Sequence, residues 1–343
     1  MMEEMDLVFV HLNSKVPSYL RFNLQRHIQL FPDRRVVLIQ DNLSVPYHTR
    51  GLTNYQVQRD HKWEELDMWY KHSKQFRKNF WLTSSARLFA IDSYMKDIGT
   101  ELIHIESDVV ISIDFPFERL ARMKQNLAFP VMSEERGVGS VIYVRNRFSS
   151  EALVENLINE AKKYPMTTEM LSLRKTFNKY QTQIIALSIG PNEKAAYRNI
   201  TNETKENLIA SANLFQGIFD GVEIGQYFFG TDPRNRRGRI LMRNDLANGY
   251  CDVSKWKLRY DEKRNFPNLI FSRNGENVEF PIFALHLPSK ELRLFNLNYQ
   301  RQVIRKRCRQ SNRGTAIRFS VRVFTLAIFN SLTRRFKEAT NYV

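Results

Sequence analysis

Glu106-Ser107-Asp108 is the stretch whose residue types and spacing could do chemistry. Leu102-Ile103-His104-Ile105 runs apolar into two carboxylates flanking a hydroxyl, and Val109-Val110-Ile111 follows directly. Asp and Glu are depleted in strands, and two carboxylates this close raise each other's pKa unless a cation is shared between them. A buried strand reaching the edge of its sheet would present both acids there. Such a position suits a hard divalent ion, Mn²⁺ or Mg²⁺, that also bridges substrate phosphates. A solvated turn between two strands is the competing reading. His104 shares the Glu106 side of the strand, but a metal at the strand's tip lies beyond its reach, so burial or a structural hydrogen bond is expected for it.

Other groups can join this centre. The apolar run Phe280-Pro281-Ile282-Phe283-Ala284-Leu285 delivers His286 at its end, and Lys290 stands four residues on. The imidazole could meet a metal while the ammonium meets a phosphate, although a lone strand-end His also serves structure alone. Phe219-Asp220-Gly221-Val222-Glu223-Ile224-Gly225 reads as an Asp-Gly turn into a short helix, stopped by Gly230 and Asp232-Pro233. Small residues beside the acid Asp220 imply that something approaches closely. Asn235 to Arg239 forms a basic loop that either holds phosphate or is solvated charge.

The elements that position these residues follow from hydrophobic patterning. Leu7-Val8-Phe9-Val10 is a buried first strand ending at His11, Leu12 and Asn13. Ser18 caps a helix through Phe31, and Val36-Val37-Leu38-Ile39 is a second strand ending at Asp41. Strand, helix and strand in this order open a parallel α/β sheet, whose ligands bind at the strands' carboxyl ends; His11, Asn13 and Asp41 lie there. A strand at Tyr55 to Arg59 is expected next. Thr83 or Ser84 caps a helix ending near Gly99, with Arg87 one turn inside, where it either reaches a diphosphate beside the carboxylates or is solvated. Further strands are expected at 127–131, 138–144 and 184–189, and helices at 151–163 and from Thr167-Thr168 onward. Gly137 and Gly139 admit a close backbone approach, from a sugar or a neighbouring strand.

The chain has 343 residues and a net charge of +16. From Arg301 to Val343 eleven Lys or Arg face the single acid Glu338, so much of the excess sits at one end. This divides the chain into a body, 1–300, and a basic amphipathic helical extension, 301–343. Phe319 to Leu332 suits either a helix in a membrane interface or one packed on the body. Cys251 and Cys308 alone give no disulfide framework, which points to a reducing compartment. The acidic start lacks the pattern of a signal peptide, and no run of eighteen apolar residues occurs.

In order, "LIHIESDVVI", "FDGVEIGQYFFGTDPRN" and "FALHLPSK" resemble the GT-A class of nucleotide-sugar glycosyltransferases, in particular bacterial polysaccharide and lipopolysaccharide transferases, over roughly Met5 to Arg293. The resemblance implies a mixed, mainly parallel Rossmann-like α/β sheet flanked by helices. It also implies a DxD-type motif at Glu106-Ser107-Asp108, with Asp108, Glu106 and His286 on Mn²⁺ or Mg²⁺. His11, Asn13, Asp41, Arg87, Glu106, Ser107 and Lys290 would then bind the nucleotide-diphosphate sugar, for which a UDP-sugar is expected. Asp220, ahead of Glu169, is the candidate for the acceptor's base. Glu in place of the first Asp, and Glu169-Met170 where relatives often carry Asp-Met, are departures from the pattern. The expected protein is a cytoplasmic transferase working on a glycan or lipid-linked acceptor, with 301–343 resting on the inner face of the membrane, and the His-to-Lys spacing inclines to retention. Two other readings stand beside it: a nucleotidyl- or phosphoryl-transfer enzyme, although no Gly-Lys-Ser/Thr phosphate loop is present, and a basic-tailed nucleic-acid binder with an inactive body. No helix-turn-helix, zinc or ribonucleoprotein signature supports the latter.

Overall fold

A computed structural model describes residues 5–71, 79–229, 249–273 and 275–287, with Arg305 and Cys308. The Asn235–Arg239 loop, Lys290, the division at residue 300 and the amphipathic stretch 319–332 lie outside them. The chain opens with β1 (Asp6–His11), α1 (Ser18–Leu30), β2 (Val36–Asp41), β3 (Leu52–Val57), α2 (His61–Trp69) and α3 (Phe80–Ile98). It continues through β4 (Leu102–Ile105), β5 (Val109–Ile111), α4 (Phe117–Ala121), β6 (Leu127–Ser133), β7 (Arg136–Gly137) and β8 (Val141–Val144). Then come α5 (Arg147–Lys163), α6 (Glu169–Lys179), β9 (Ile184–Leu187), α7 (Asn202–Phe215), β10 (Ile218–Phe219) and α8 (Glu223–Phe229). β11 (Lys257–Asp261), β12 (Phe266–Arg273) and β13 (Glu276–His286) complete the described strands.

Two sheets result. The larger runs β3-β2-β1-β4-β8-β6-β7, with β9 on β6; β3 to β4 are mutually parallel, and β8 turns the order antiparallel. The smaller runs β10-β13-β12-β11, and β5 pairs with β13. This α/β class, with a mainly parallel sheet flanked by helices, is the architecture that the sequence leads one to expect. β1, β2 and β4 are apolar on both faces because helices cover both sides of a parallel sheet; Leu7, Val8, Phe9, Val37 and Leu38 are fully buried. Asp6 is buried at the head of β1, where it accepts bonds from Arg35 Nε (2.7 Å) and the Tyr94 hydroxyl (2.7 Å). A buried carboxylate needs such partners.

Several boundaries move. Helix α1 begins at Ser18 itself, with Pro17 in the capping position, and α3 starts a turn earlier than the Thr83-Ser84 pair, behind Asn79 in the left-handed region (φ 65°). β3 ends at Val57, leaving Arg59 off the strand. β8 begins at Val141, and Gly137 pairs in β7 instead. Gly137 lies where a Cβ would come within 2.7 Å of Leu173 Cβ and 2.9 Å of Arg174 N, while one on Gly139 would meet Glu169 Oε1. The close approach that these glycines permit is therefore by helix α6.

Candidate metal and donor site

Glu106-Ser107-Asp108 forms the passage between the two sheets: β4 ends at Ile105 and β5 enters the smaller sheet at Val109. The acids have no ladder of their own, so neighbouring groups hold the turn. Glu106 N donates to Ser140 O (3.0 Å), and Leu287 N donates to Asp108 O (2.8 Å). Asn23, buried on α1, donates through Nδ2 to Ser107 O (3.2 Å) and Val109 O (2.7 Å). β13 runs antiparallel to β5 with His286 opposite Val109, which brings the imidazole to the acids. His286 Nε2 is 3.5 Å from Asp108 Oδ1 and 3.8 Å from Glu106 Oε2.

These three residues offer ligand atoms that all lie within 4.8 Å of one another. An ion with ligands at roughly 2.1 Å sets adjacent donor atoms about 3 Å apart and opposite ones about 4.2 Å apart, so the spacings fit one small divalent ion. Two carboxylate oxygens and one imidazole nitrogen also form a donor set that Mn²⁺ accepts. Burial would push His286 toward neutrality, but Asp108, Glu106 and Asp220 around it raise its pKa above the ordinary value. Burial raises that of Asp108, with Glu106 adding to the effect and His286 opposing it. Such a cluster is one in which a cation relieves repulsion.

Arg87 is not a solvated helix residue; it is paired with acids. Its guanidinium lies between Glu106 Oε1 (2.5 Å) and Glu169 Oε2 (2.7 Å), and it also donates to Ser84 Oγ (3.0 Å). Ser84 in turn donates to Glu169 Oε2 (2.7 Å). Burial acts to raise the Glu106 pKa, but the Arg87 charge, with His286, brings it below the usual value. Glu169, 4% exposed, keeps a raised pKa from burial despite Arg87. Glu106 is thus divided, one oxygen on Arg87 and the other toward His286, while Asp108 has the same imidazole at 3.5 Å.

Asp220 is 2% exposed and spends both oxygens on main-chain donors. Oδ1 accepts from Ile224 N (3.0 Å), and Oδ2 accepts from Gly225 N (2.8 Å) and His286 N (3.1 Å). Burial pushes its pKa up to about 6, which those bonds and His286 oppose.

His11, Asn13 and Asp41 gather at the carboxyl ends of β1 and β2. Asp41 Oδ1 accepts from Asn13 N (2.9 Å) and Ser44 Oγ (2.6 Å), and Oδ2 accepts from Arg59 Nη2 (3.2 Å). Burial raises the Asp41 pKa, but those partners bring it below the ordinary value. Arg59 also bonds Asn13 Oδ1, and Asn13 holds the left-handed conformation (φ 63°). Asn13 Nδ2 reaches Thr83 Oγ1 (3.4 Å), which links this edge to the first turn of α3 and so to Ser84 and Arg87. His11 Nε2 is 3.0 Å from Ser14 Oγ, and burial lowers its pKa. His104 is buried and donates from Nδ1 to Val8 O (3.1 Å); burial, helped by the Arg87 charge, lowers its pKa to about 3. It is a structural imidazole, as its position on the strand implies.

The sequence reading passed over Asn23, Arg59 and Ser140. Asn23 left a signal, a polar residue on the apolar face of α1. Arg59 and Ser140 left none, because their partners are brought together only by the assembled sheet.

No protein-family model and no curated protein sequence matches the chain. Among solved structures it is similar to the PaToxG glycosyltransferase, at 7% identity over 63% of this chain and 86% of that one, with a TM-score of 0.37. The WbbM bifunctional glycosyltransferase is 14% identical, with 62% of this chain and 45% of that chain covered and a TM-score of 0.34. Mouse xyloside xylosyltransferase 1 is 10% identical, with 54% and 85% covered and a TM-score of 0.35. At these identities and TM-scores the likeness assigns neither an activity nor a substrate to this chain.

Proposed function

We propose that the protein is a metal-dependent glycosyltransferase that moves a sugar from a nucleotide diphosphate, a UDP-sugar, to a glycan or lipid-linked acceptor. One observation carries this reading: Asp108 and Glu106 meet His286, distant in sequence, where the chain passes between its sheets. Asp108, His286 and Glu106 Oε2 would hold Mn²⁺ or Mg²⁺. The bound ion supplies Lewis-acid stabilisation of the charge that develops on the departing diphosphate.

The chain's own groups do the rest. His11, Asn13 and Ser107 face the nucleotide and sugar in this reading. Asp41, whose oxygens are engaged, holds the loop that carries Asn13. Arg87 keeps the Glu106 carboxylate ionised and aimed, and Lys290 is assigned to the phosphates from the sequence alone. Glu169 and Asp220 are both engaged by hydrogen bonds, so neither is poised to take the acceptor's proton. That favours retention, with the departing phosphate as the available base. The basic segment 301–343 is assigned to an anionic membrane surface, attracted there by its charge. Among the described residues no helix is long and apolar enough to cross a membrane.

The test is a panel of nucleotide sugars with Mn²⁺, read as hydrolysis and transfer, with the anomeric configuration of the product followed by NMR. Asp108→Ala should lose Mn²⁺-stimulated turnover while keeping its circular-dichroism spectrum. Full activity in that variant would refute the metal-centre reading.

A further inference from the structure

We propose that Asp220 is a positioning residue for the metal ligand His286 and acts on it through the main chain; this rests on the metal-centre reading above. Metal-bound imidazoles are ordinarily oriented by a hydrogen bond on the ring's other nitrogen, which fixes the tautomer and the ring plane. In this protein His286 Nδ1 is buried without a hydrogen-bond partner among the described residues. The ring must then be aimed by its own backbone.

That backbone is held on every side. Asp220 Oδ2 accepts from His286 N (3.1 Å), a contact across 66 residues of sequence. On the other side of the same residue, a Cβ built on Gly225 would come within 1.6 Å of the His286 carbonyl oxygen, so α8 lies flat against it. The following amide, Leu287 N, donates to Asp108 O (2.8 Å), tying the strand that carries one ligand to the turn that carries another. Asp220 is itself anchored: its N donates to Ala284 O (2.9 Å), and Ser140 Oγ donates to its carbonyl (3.2 Å). Ser140 O in turn receives the Glu106 amide (3.0 Å).

An ordinary cap would need only the bonds to Ile224 N and Gly225 N at the start of α8. The bond to His286 N is additional, and it makes one carboxylate the junction between α8 and β13. Gly225 is required for the same reason, since any side chain there would displace the His286 carbonyl. Asp220 therefore does not touch the reacting atoms. It decides whether the imidazole stands within coordination distance, a tolerance of about 0.2 Å.

Mn²⁺ binding to the full-length protein, measured by calorimetry, with the imidazole nitrogen read by electron spin-echo modulation, tests this. Asp220→Asn keeps the volume but turns one acceptor into a donor facing N–H groups. It should weaken the Mn²⁺ dissociation constant by about 10–100-fold and diminish the nitrogen modulation, with turnover recovering as Mn²⁺ is raised. Gly225→Ala keeps the charge of the Asp220 carboxylate but sets a Cβ against the His286 carbonyl and 3.0 Å from Asp220 Oδ2; it should weaken Mn²⁺ in the same direction, and it decides the matter if Asp220→Asn does not fold. Unchanged Mn²⁺ affinity and nitrogen modulation in Asp220→Asn, with turnover lost even at saturating Mn²⁺, would overturn the positioning role and mark Asp220 as a base. Wild-type protein that binds no Mn²⁺ would instead refute the metal centre, and the positioning role with it.

Discussion

Replacing Arg87 by Met keeps much of the stem's packing but withdraws the one guanidinium lying between Glu106 and Glu169. The Arg87, Glu106 and Glu169 side chains are 14%, 20% and 5% exposed. Solvent can therefore relieve part of the loss at Glu106 and little at Glu169. Breaking a buried ion pair by removing one partner costs about 3–5 kcal/mol, because a charge is left uncompensated. The partial exposure of Glu106 places Arg87→Met near the lower end, at about 3 kcal/mol. With urea slopes of roughly 1–3 kcal/mol per molar, the unfolding midpoint should fall by about 1 M or more. The sign of the pH effect follows from the same groups. Without Arg87 both folded carboxylates titrate above their unfolded value, so the native state takes up protons as pH falls and regains stability; the deficit should shrink from pH 7.5 to pH 5. Mn²⁺ should also rescue the variant more than it stabilises wild type, since both Glu106 oxygens become available to the ion and binding to the native state is linked to stability. A variant within 0.5 kcal/mol of wild type at pH 7.5, or a deficit that does not change with pH, would refute this account of the network.

The remaining predictions concern burial. His27 donates from Nδ1 to Asn23 O (2.7 Å), leaves Nε2 unpartnered among the described residues and packs against Phe9 and Phe31; burial, with the Arg26 charge, pulls its pKa from 6.5 to about 3. Between those values the unfolded chain binds a proton that the native one refuses, so stability falls as pH drops through the window, by about 1 kcal/mol per pH unit. His27→Phe should remove that proton from the acid limb and gain about 2 kcal/mol on wild type between pH 6.5 and 4.5, and denaturation curves with parallel pH slopes would contradict it. Gly137→Ala should cost about 1–3 kcal/mol by overpacking, since its Cβ would meet the backbone of α6; an unshifted urea midpoint would show that the helix yields freely.

The sequence conveyed the elements well where periodicity is strong and poorly where topology decides. Continuous apolar runs at Leu7-Val10 and Val36-Ile39 announced buried parallel strands, and both acids of the triplet proved to stand at the tip of β4. His286 was legible as the end of an apolar strand, and its meeting with Asp108 followed once β13 paired with β5. The partners of Arg87 were not legible because a helical Arg shows its spacing but not what it meets; Glu169 arrives from a helix much later in the chain. The small neighbours of Asp220 implied a close approach without saying what approaches. Gly225 is small because α8 packs on the His286 carbonyl, and Gly221 because Met132 lies against it, reasons invisible without the fold.

The pairing of β13 with β5 has a kinetic consequence. β1, β2 and β4 adjoin one another through connections completed by Ile105, so much of one sheet can form from early, comparatively local contacts. Glu106 and Asp108 cannot meet His286 until it has been synthesised and its strand has travelled back to Val109. Contacts between residues so far apart in sequence carry a large loop-closure entropy and form slowly. Acquisition of Mn²⁺ affinity during refolding should therefore lag behind the helical signal, and a chain truncated before β13 would be built without a centre.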